Sequence, residues 1–233
     1  MKTLKMTTVR VLLGLLFTLF SLGASAQTAD STATKSGVEF STGTDLVSSY
    51  VWRGSYISGA AFQPTVEMTA GAFTLGAWGS ADFNSTLLEM DLYASVSLGG
   101  FSVGLTDYYY PGGSFFDTDA LSSPHAFEVN LGYEVSGLSL GGNYILNEAA
   151  GALSMGGDMY FEAAYDFGKF AFTLGGGNGW HTLAGDEDFQ IVNIGISTSK
   201  EIKITDSFSI PFTGSAILNP NKEQFYIVVA ASF

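Results

Sequence analysis

GVEFSTGTDLVSSYVWRG, residues 37–54, alternates between two kinds of side chain over a length that few strands of soluble proteins reach. Apolar side chains such as Val38 and Phe40 fall on one face of an extended chain, and polar ones such as Glu39 and Asp45 fall on the other. One face could meet hydrocarbon and the other water. A strand crosses a bilayer in about 9–11 tilted residues, and lipid accepts a sheet only when it closes on itself. The stretch therefore predicts the first strand of a membrane barrel.

Segments of about ten residues with the same alternation follow along the chain. The clearest is the fourth, in which Leu88, Met90 and Leu92 oppose Glu89 and Asp91. We count twelve segments, an even number, as single-chain bacterial barrels require. The predicted fold is all-β: a transmembrane, antiparallel, up-and-down β-barrel of twelve strands with both termini periplasmic.

The connections between the segments alternate between short and long, as in outer-membrane barrels. The predicted periplasmic turns lie near 70–72, 98–100, 135–138, 167–169 and 199–206. The predicted external loops are longer, above all 111–125 and 147–157. Loop 111–125 contains Phe115, Phe116 and Leu121, so it could fold into the pore or contact a partner outside.

Residues 1–26 have the pattern of a secretory signal peptide: a positive start, an apolar run over 11–22 and a small-residue site at 24–26. An uncleaved anchor is the alternative, but it needs about 20 apolar residues, and Gly14 and Thr18 interrupt this run. Residues 27–36 are polar and predict a flexible lead-in. The barrel domain then spans 37–233, and the predicted location is the outer membrane of a Gram-negative bacterium.

Composition limits the partners. The chain has 22 acidic and 9 basic residues, a formal net charge of −13, and no cysteine. Nucleic acid is an unsuitable partner because phosphate binding needs a basic surface. We expect outer-membrane lipid and small or ionic solutes as partners, and no cofactor or metal.

The last segment alternates up to a terminal phenylalanine, Phe233, which resembles the insertion signal of bacterial outer-membrane proteins. The alternative fold is a soluble lipocalin-like barrel, whose interior would be apolar. Its acidic faces would then have to point outward.

Four spaced motifs carry a resemblance to a known family: SYVWRG at 49–54, GAWGS at 76–80, EMDLY at 89–93 and YYYPG at 108–112. In these motifs, over about residues 37–115, the chain resembles the TorF-like porins of bacterial outer membranes. The resemblance implies a β-barrel porin.

The polar faces of the segments define the predicted lumen. Its side chains are Glu39, Asp45, Arg53, Glu67, Trp78, Asp82, Glu89, Asp91, Tyr108, Tyr110, Glu128, Glu134, Asp158 and Glu162. Carboxylates that line a pore favour cations, so the sequence predicts a porin-like channel for passive diffusion of small solutes with an acidic, cation-favouring lumen. A non-conducting structural or surface-interaction barrel remains the alternative, and an outer-membrane hydrolase is a weaker one.

Three groups of lumen and wall residues have more specific predictions. Arg53 is expected at the mouth of the pore, paired with Asp82, Glu89 or Asp91. Trp78, Tyr108 and Tyr110 could form an aromatic patch or pack in the wall. The residues predicted to face outward as interfacial girdles are Tyr50, Trp52, Tyr109, Phe127, Tyr133, Tyr165, Phe170 and Phe233.

The sequence predicts no enzyme and no catalytic residue. His125 and His181 fall in predicted external loops, and neither has a nucleophile at a defining spacing. The chain also lacks GxSxG and HExxH motifs.

Overall fold

Twelve antiparallel strands close into a barrel in the computed structural model, which describes residues 37–84, 87–184 and 186–233. The predicted signal peptide and lead-in lie outside the described residues. The barrel strands are β1 (Val38–Val47), β4 (Ala61–Ala70), β5 (Phe73–Asp82), β6 (Leu88–Leu98), β7 (Phe101–Tyr109), β8 (His125–Val135), β9 (Leu138–Ile145), β10 (Met159–Asp166), β11 (Ala171–Gly177), β12 (Gln190–Lys203), β13 (Ser209–Asn219) and β14 (Gln224–Ser232). The prediction of an all-β, twelve-stranded, antiparallel barrel is confirmed.

The remaining regular structure is short. Two strands, β2 (Tyr50–Trp52) and β3 (Ser55–Ser58), form a hairpin that is not part of the barrel wall. Two 3₁₀ turns lie at Ala150–Ala152 and Gly179–His181. Within the described ranges, no helix is both long enough and apolar enough to cross a membrane.

Side chains on the barrel wall alternate between an apolar outside and a polar inside. On β6, Leu88 and Leu92 are exposed, whereas Glu89 and Asp91 are only 1% and 2% exposed. Paired residues of neighbouring strands lie on the same side of the wall. Asp91 pairs with Trp78 of β5 and with Tyr108 of β7, so all three face the interior. This is the reverse of a soluble ligand-binding barrel, whose interior is apolar.

The connections at the two ends of the barrel differ. At one end, here called the turn end, β4–β5, β6–β7 and β8–β9 are joined by two residues each, and residues 167–170 and 204–208 make the other two turns. Ser136 and Gly137 both have positive φ, 50° and 86°, as a tight two-residue hairpin turn requires. The other end, the loop end, carries the longer connections, except that only residues 220–223 join β13 to β14.

The first strand is shorter than predicted. The alternation continues to Trp52, but β1 ends at Val47, the chain bends at Ser48 and Ser49, and residues 50–58 turn back as the β2–β3 hairpin. Arg53 and Gly54 have φ of 49° and 81°, so they form a reversing turn where the prediction placed the end of a straight strand.

This change corrects two girdle predictions. Tyr50 and Trp52 are buried, 5% and 8% exposed, so they do not face outward. Register places the other predicted girdle residues of the strands on the outer face: Tyr109, Phe127, Tyr133 and Tyr165.

The barrel closes through a short seam. β1 pairs with β4 along its whole length, but with β14 only over 45–47 against 230–232. Two backbone hydrogen bonds between Thr44 and Phe233, at 3.1 and 2.9 Å, extend this seam toward the turn end.

Candidate functional site

The hairpin of residues 50–58, here called the lumen hairpin, lies inside the barrel at the loop end. Its tip residue Arg53 forms a bidentate ion pair with Glu128 of β8, with Nη1 to Oε2 at 2.7 Å and Nη2 to Oε1 at 2.8 Å. The guanidinium also lies over two rings, 4.5 Å from the centroid of Trp52 and 4.7 Å from that of Tyr160. Charge and stacking together hold the tip against the wall opposite its own stem.

Further contacts anchor the same tip to other strands. The carbonyl of Gly54 accepts a hydrogen bond from Asn219 Nδ2 at 2.9 Å, and Ser55 Oγ accepts one from Lys222 Nζ at 2.8 Å. Gly54 also lies so close to β12 that an added Cβ would be 1.9 Å from the carbonyl oxygen of Val192. The lumen hairpin therefore spans the interior from the β1–β4 wall to β8, β10, β12 and β13.

An aromatic cluster packs around the hairpin. The ring of Trp52 lies 5.5 Å from Tyr108, 5.6 Å from Trp180 and 5.2 Å from His181. The predicted patch of Trp78, Tyr108 and Tyr110 belongs to this cluster, since Trp78 packs on Tyr50 and Tyr110 on Trp180. These rings narrow the loop end of the lumen.

Four interior carboxylates each accept a hydrogen bond from a tyrosine hydroxyl. The pairs are Tyr93 to Glu67 at 2.7 Å, Tyr110 to Glu89 at 3.0 Å, Tyr108 to Glu128 at 3.0 Å, and Tyr160 to Glu162. Asn193 Nδ2 adds a bond of 3.1 Å to Glu162. Such bonds stabilise the charged form of each carboxylate inside the barrel. The predicted set of lumen residues does not include Tyr93 and Tyr160, although the alternation puts both on polar strand faces.

Register places the predicted lumen residues of the strands on the interior face. These are Glu39, Asp45, Glu67, Trp78, Asp82, Glu89, Asp91, Tyr108, Glu128, Glu134 and Glu162. Glu39 and Glu134 are exposed near the turn end. Tyr110 follows β7 and donates to Glu89, and Asp158 precedes β10 and accepts bonds from Ser154 Oγ and Trp180 N at 3.1 and 3.3 Å.

The predicted partner of Arg53 is wrong. Its ion pair is with Glu128, and not with Asp82, Glu89 or Asp91, because the hairpin carries the arginine across the lumen instead of leaving it at the end of the first strand. Loop 111–125 does not provide the constriction: Phe115 packs on Tyr109 and His125 of the outer face.

A cavity of about 40 Å³ remains between the hairpin tip and β10–β13. Arg53, Glu162, Asn193 and Ser215 are among its lining residues. One water occupies about 10–15 Å³ on this measure, so the cavity has room for a few waters.

The two histidines have different surroundings. His125 lies on the outer face, with Nδ1 2.9 Å from Asp107 Oδ1 and Nε2 2.7 Å from the carbonyl of Phe115. His181 is 1% exposed and neither of its ring nitrogens has a partner. Burial lowers the pKa of His181 well below its ordinary value, and the charges of Arg53 and Lys222 lower it further. In the described chain, neither imidazole contacts a serine hydroxyl.

No group of three or more His, Cys, Asp or Glu side chains is placed to hold a metal ion in residues 37–84, 87–184 and 186–233.

Comparison with known proteins identifies the family. No curated protein matches the chain. The model of one family, described as "Bacterial protein of unknown function (Gcw_chp)", matches residues 31–221, which is most of the chain. The protein is thus a member of the Gcw_chp family of bacterial proteins.

Proposed function

We propose that this protein is a porin-like channel of the bacterial outer membrane, which passes small cations and small neutral solutes by passive diffusion through a lumen narrowed by the lumen hairpin. The observation that carries the proposal is the inverted barrel, with exposed leucines such as Leu88 and Leu92 outside and carboxylates such as Glu89 and Asp91 inside. An apolar outer wall suits hydrocarbon, and a polar interior suits water.

Several features support the outer membrane as the location. A closed twelve-stranded barrel is compatible with an outer-membrane protein, because closure leaves no open sheet edge in lipid. The family is bacterial, and the signal-peptide pattern of residues 1–26 agrees with export. In this proposal the turn end faces the periplasm and the loop end faces outward.

The charge of the interior supports cation preference. Carboxylates occupy interior positions from Glu39 and Glu134 near the turn end to Glu89 and Glu162 further in. Arg53 brings a positive charge into the lumen, and Glu128 neutralises it. A lumen with excess negative charge attracts cations and repels anions.

The lumen hairpin decides how wide the passage is. Its stems are joined to the wall through small residues, Ser48–Ser49 on one side and Gly59–Ala60 on the other, while its tip contacts β8, β10, β12 and β13. The same anchoring favours a second candidate function, a non-conducting structural barrel whose lumen the hairpin closes.

Single-channel recording in a planar bilayer separates the two functions. Hydrogen bonding of Tyr50 N to Gly59 O at 3.2 Å shows that the stems lie side by side, so Ser49 can be joined to Gly59 with residues 50–58 deleted. We expect a small cation-selective conductance from the wild type, shown by its reversal potential in a salt gradient, and at least a two-fold larger conductance from the deletion. Phe116→Ser, at an 87% exposed loop position, is the control and leaves conductance unchanged.

Two other outcomes of the recording would contradict a conducting wild type. A silent wild type with a conducting deletion variant supports the non-conducting barrel. Silence from both proteins, each shown to be folded, contradicts the channel.

A further inference from the structure

Glu89 and Asp91 are neighbours on the interior face of β6 and are almost completely buried, 1% and 2% exposed. Two positions apart on a strand face, their Cα atoms are separated by about 7 Å. Trp78 and Tyr108 flank Asp91 in the register of the adjoining strands. Two acidic side chains thus share one enclosed part of the barrel.

Each of these carboxylates has an oxygen without a partner. Glu89 accepts hydrogen bonds from Tyr110, at 3.0 Å, and from Tyr50, but its Oε2 is buried with no partner of its own. Asp91 Oδ1 is likewise buried without a partner. In the described residues, no basic side chain lies within 4.0 Å of either carboxylate.

The two basic side chains at the hairpin tip are already engaged. Arg53 forms its bidentate pair with Glu128, and Lys222 donates to Ser55. A buried carboxylate without a counter-charge costs several kcal/mol. Two such groups side by side repel each other as well, so either a proton or a bound cation must neutralise the pair. The melting temperature distinguishes the two, because only a bound alkali cation makes it depend on the salt.

The donor set indicates which cation fits. Carboxylate oxygens favour hard cations. A divalent ion such as Ca²⁺ takes six or more oxygen ligands, and no group of three metal-binding side chains is present in the described residues. A monovalent alkali cation holds its water less tightly than a divalent ion, so it can exchange part of its hydration shell for these carboxylate oxygens and keep the rest.

We infer that Glu89 and Asp91 together form a binding site for a monovalent alkali cation inside the barrel. The inference rests on the proposed function in one respect, that the lumen admits cations from solution. Beyond the proposed function, the inference names the two residues that bind the cation. A cation can bind there at equilibrium even if the barrel does not conduct.

Thermal unfolding of the full folded barrel in detergent tests the site. The protein is compared in sodium or potassium chloride and in N-methyl-D-glucamine chloride, whose cation is too large for the site, at equal ionic strength and pH. A ligand that binds only the folded state raises the melting temperature, and we expect a rise of about 2–4 °C in the alkali salts. Glu89→Gln together with Asp91→Asn abolishes the difference, whereas Glu134→Gln, an exposed interior carboxylate, retains it.

Three results would overturn the site: equal melting temperatures of the wild type in all three salts, an alkali effect that persists in the double variant, or an effect lost equally in the Glu134 variant. The first needs no variant and so does not depend on how the variants fold. Conductance without alkali-dependent stability rejects the site and keeps the channel. A melting temperature that depends on alkali salt in a barrel without conductance supports the site and contradicts the channel.

Discussion

At the scale of single residues, Arg53 makes contacts at the tip of the lumen hairpin that a lysine could not make. Its planar guanidinium forms two parallel hydrogen bonds with Glu128 while its faces stack between Trp52 and Tyr160. Lysine supplies a point charge but neither the fork nor the flat faces. The residue therefore joins the tip of the hairpin to the wall through charge, geometry and packing together.

His181 leads to a prediction at the same scale. Burial lowers the pKa of His181 well below the ordinary histidine value of about 6.5. As pH falls through 6.5, His181 becomes protonated in the unfolded chain but stays neutral in the folded protein. The free energy of unfolding therefore decreases on acidification. Relative to His181→Gln, the free energy of unfolding of the wild type should fall by about 1.4 kcal/mol between pH 7.5 and 5.5.

The measurement is chemical denaturation of both proteins at a series of pH values. Both proteins contain the same carboxylates, so their titration cancels in the difference. Parallel stability curves across this range would show that His181 stays neutral in both states or charges in both.

At the scale of elements, the lumen hairpin depends on the space at its tip. Gly54 has φ of 81° and lies against the backbone of Val192, where a Cβ would approach the carbonyl oxygen to 1.9 Å. Gly71, in the turn between β4 and β5, has φ of 62° and no atom within 4 Å of an added Cβ. The two glycines therefore share the left-handed backbone but differ in free space.

Gly54→Ala and Gly71→Ala form a matched pair of variants. Both introduce the cost of a side chain in the left-handed region, but only Gly54→Ala also forces the tip away from β12, at a further cost of about 1–3 kcal/mol. We expect the lower melting temperature and the larger conductance from Gly54→Ala. Equal melting temperatures would show that the tip is not seated against Val192.

At the scale of the whole molecule, the exposed apolar outer wall is what separates this barrel from a soluble one. Leu92 is 47% exposed on the outside of β6, and Leu121 is 82% exposed in the loop that follows β7. In water the two leucines would tolerate a charge equally. In a bilayer only Leu92 would meet hydrocarbon.

Leu92→Arg and Leu121→Arg test the membrane location. A charge on the lipid face of a barrel costs about 2–4 kcal/mol near the midplane, so Leu92→Arg should lower the free energy of unfolding in lipid vesicles by that amount and Leu121→Arg should leave it unchanged. Equal stability of the two variants would argue against insertion of this wall in lipid.

Much of the interior follows from alternation alone. Successive side chains of a strand point to opposite faces, so the sequence assigns Glu67, Glu89, Asp91, Glu128 and Glu162 to one side of the wall, and strand pairing places them there. Their hydrogen-bond partners were not predictable in the same way. Tyr93 and Tyr160 reach their carboxylates through rotamers and neighbouring strands, which a one-dimensional pattern does not encode.

The sequence by itself determined the class of fold, the number of strands and the polar lining, because each depends on a local period of two and on turn residues a few positions apart. Only the tertiary structure decided where residues 50–58 go. Their alternation fits a straight strand as well as a hairpin, and the reversal at Arg53 and Gly54 is stabilised by Glu128, Asn219 and Lys222, which lie far along the chain. Contacts between distant residues form only when the barrel closes, so they selected the hairpin and, with it, the shape of the lumen.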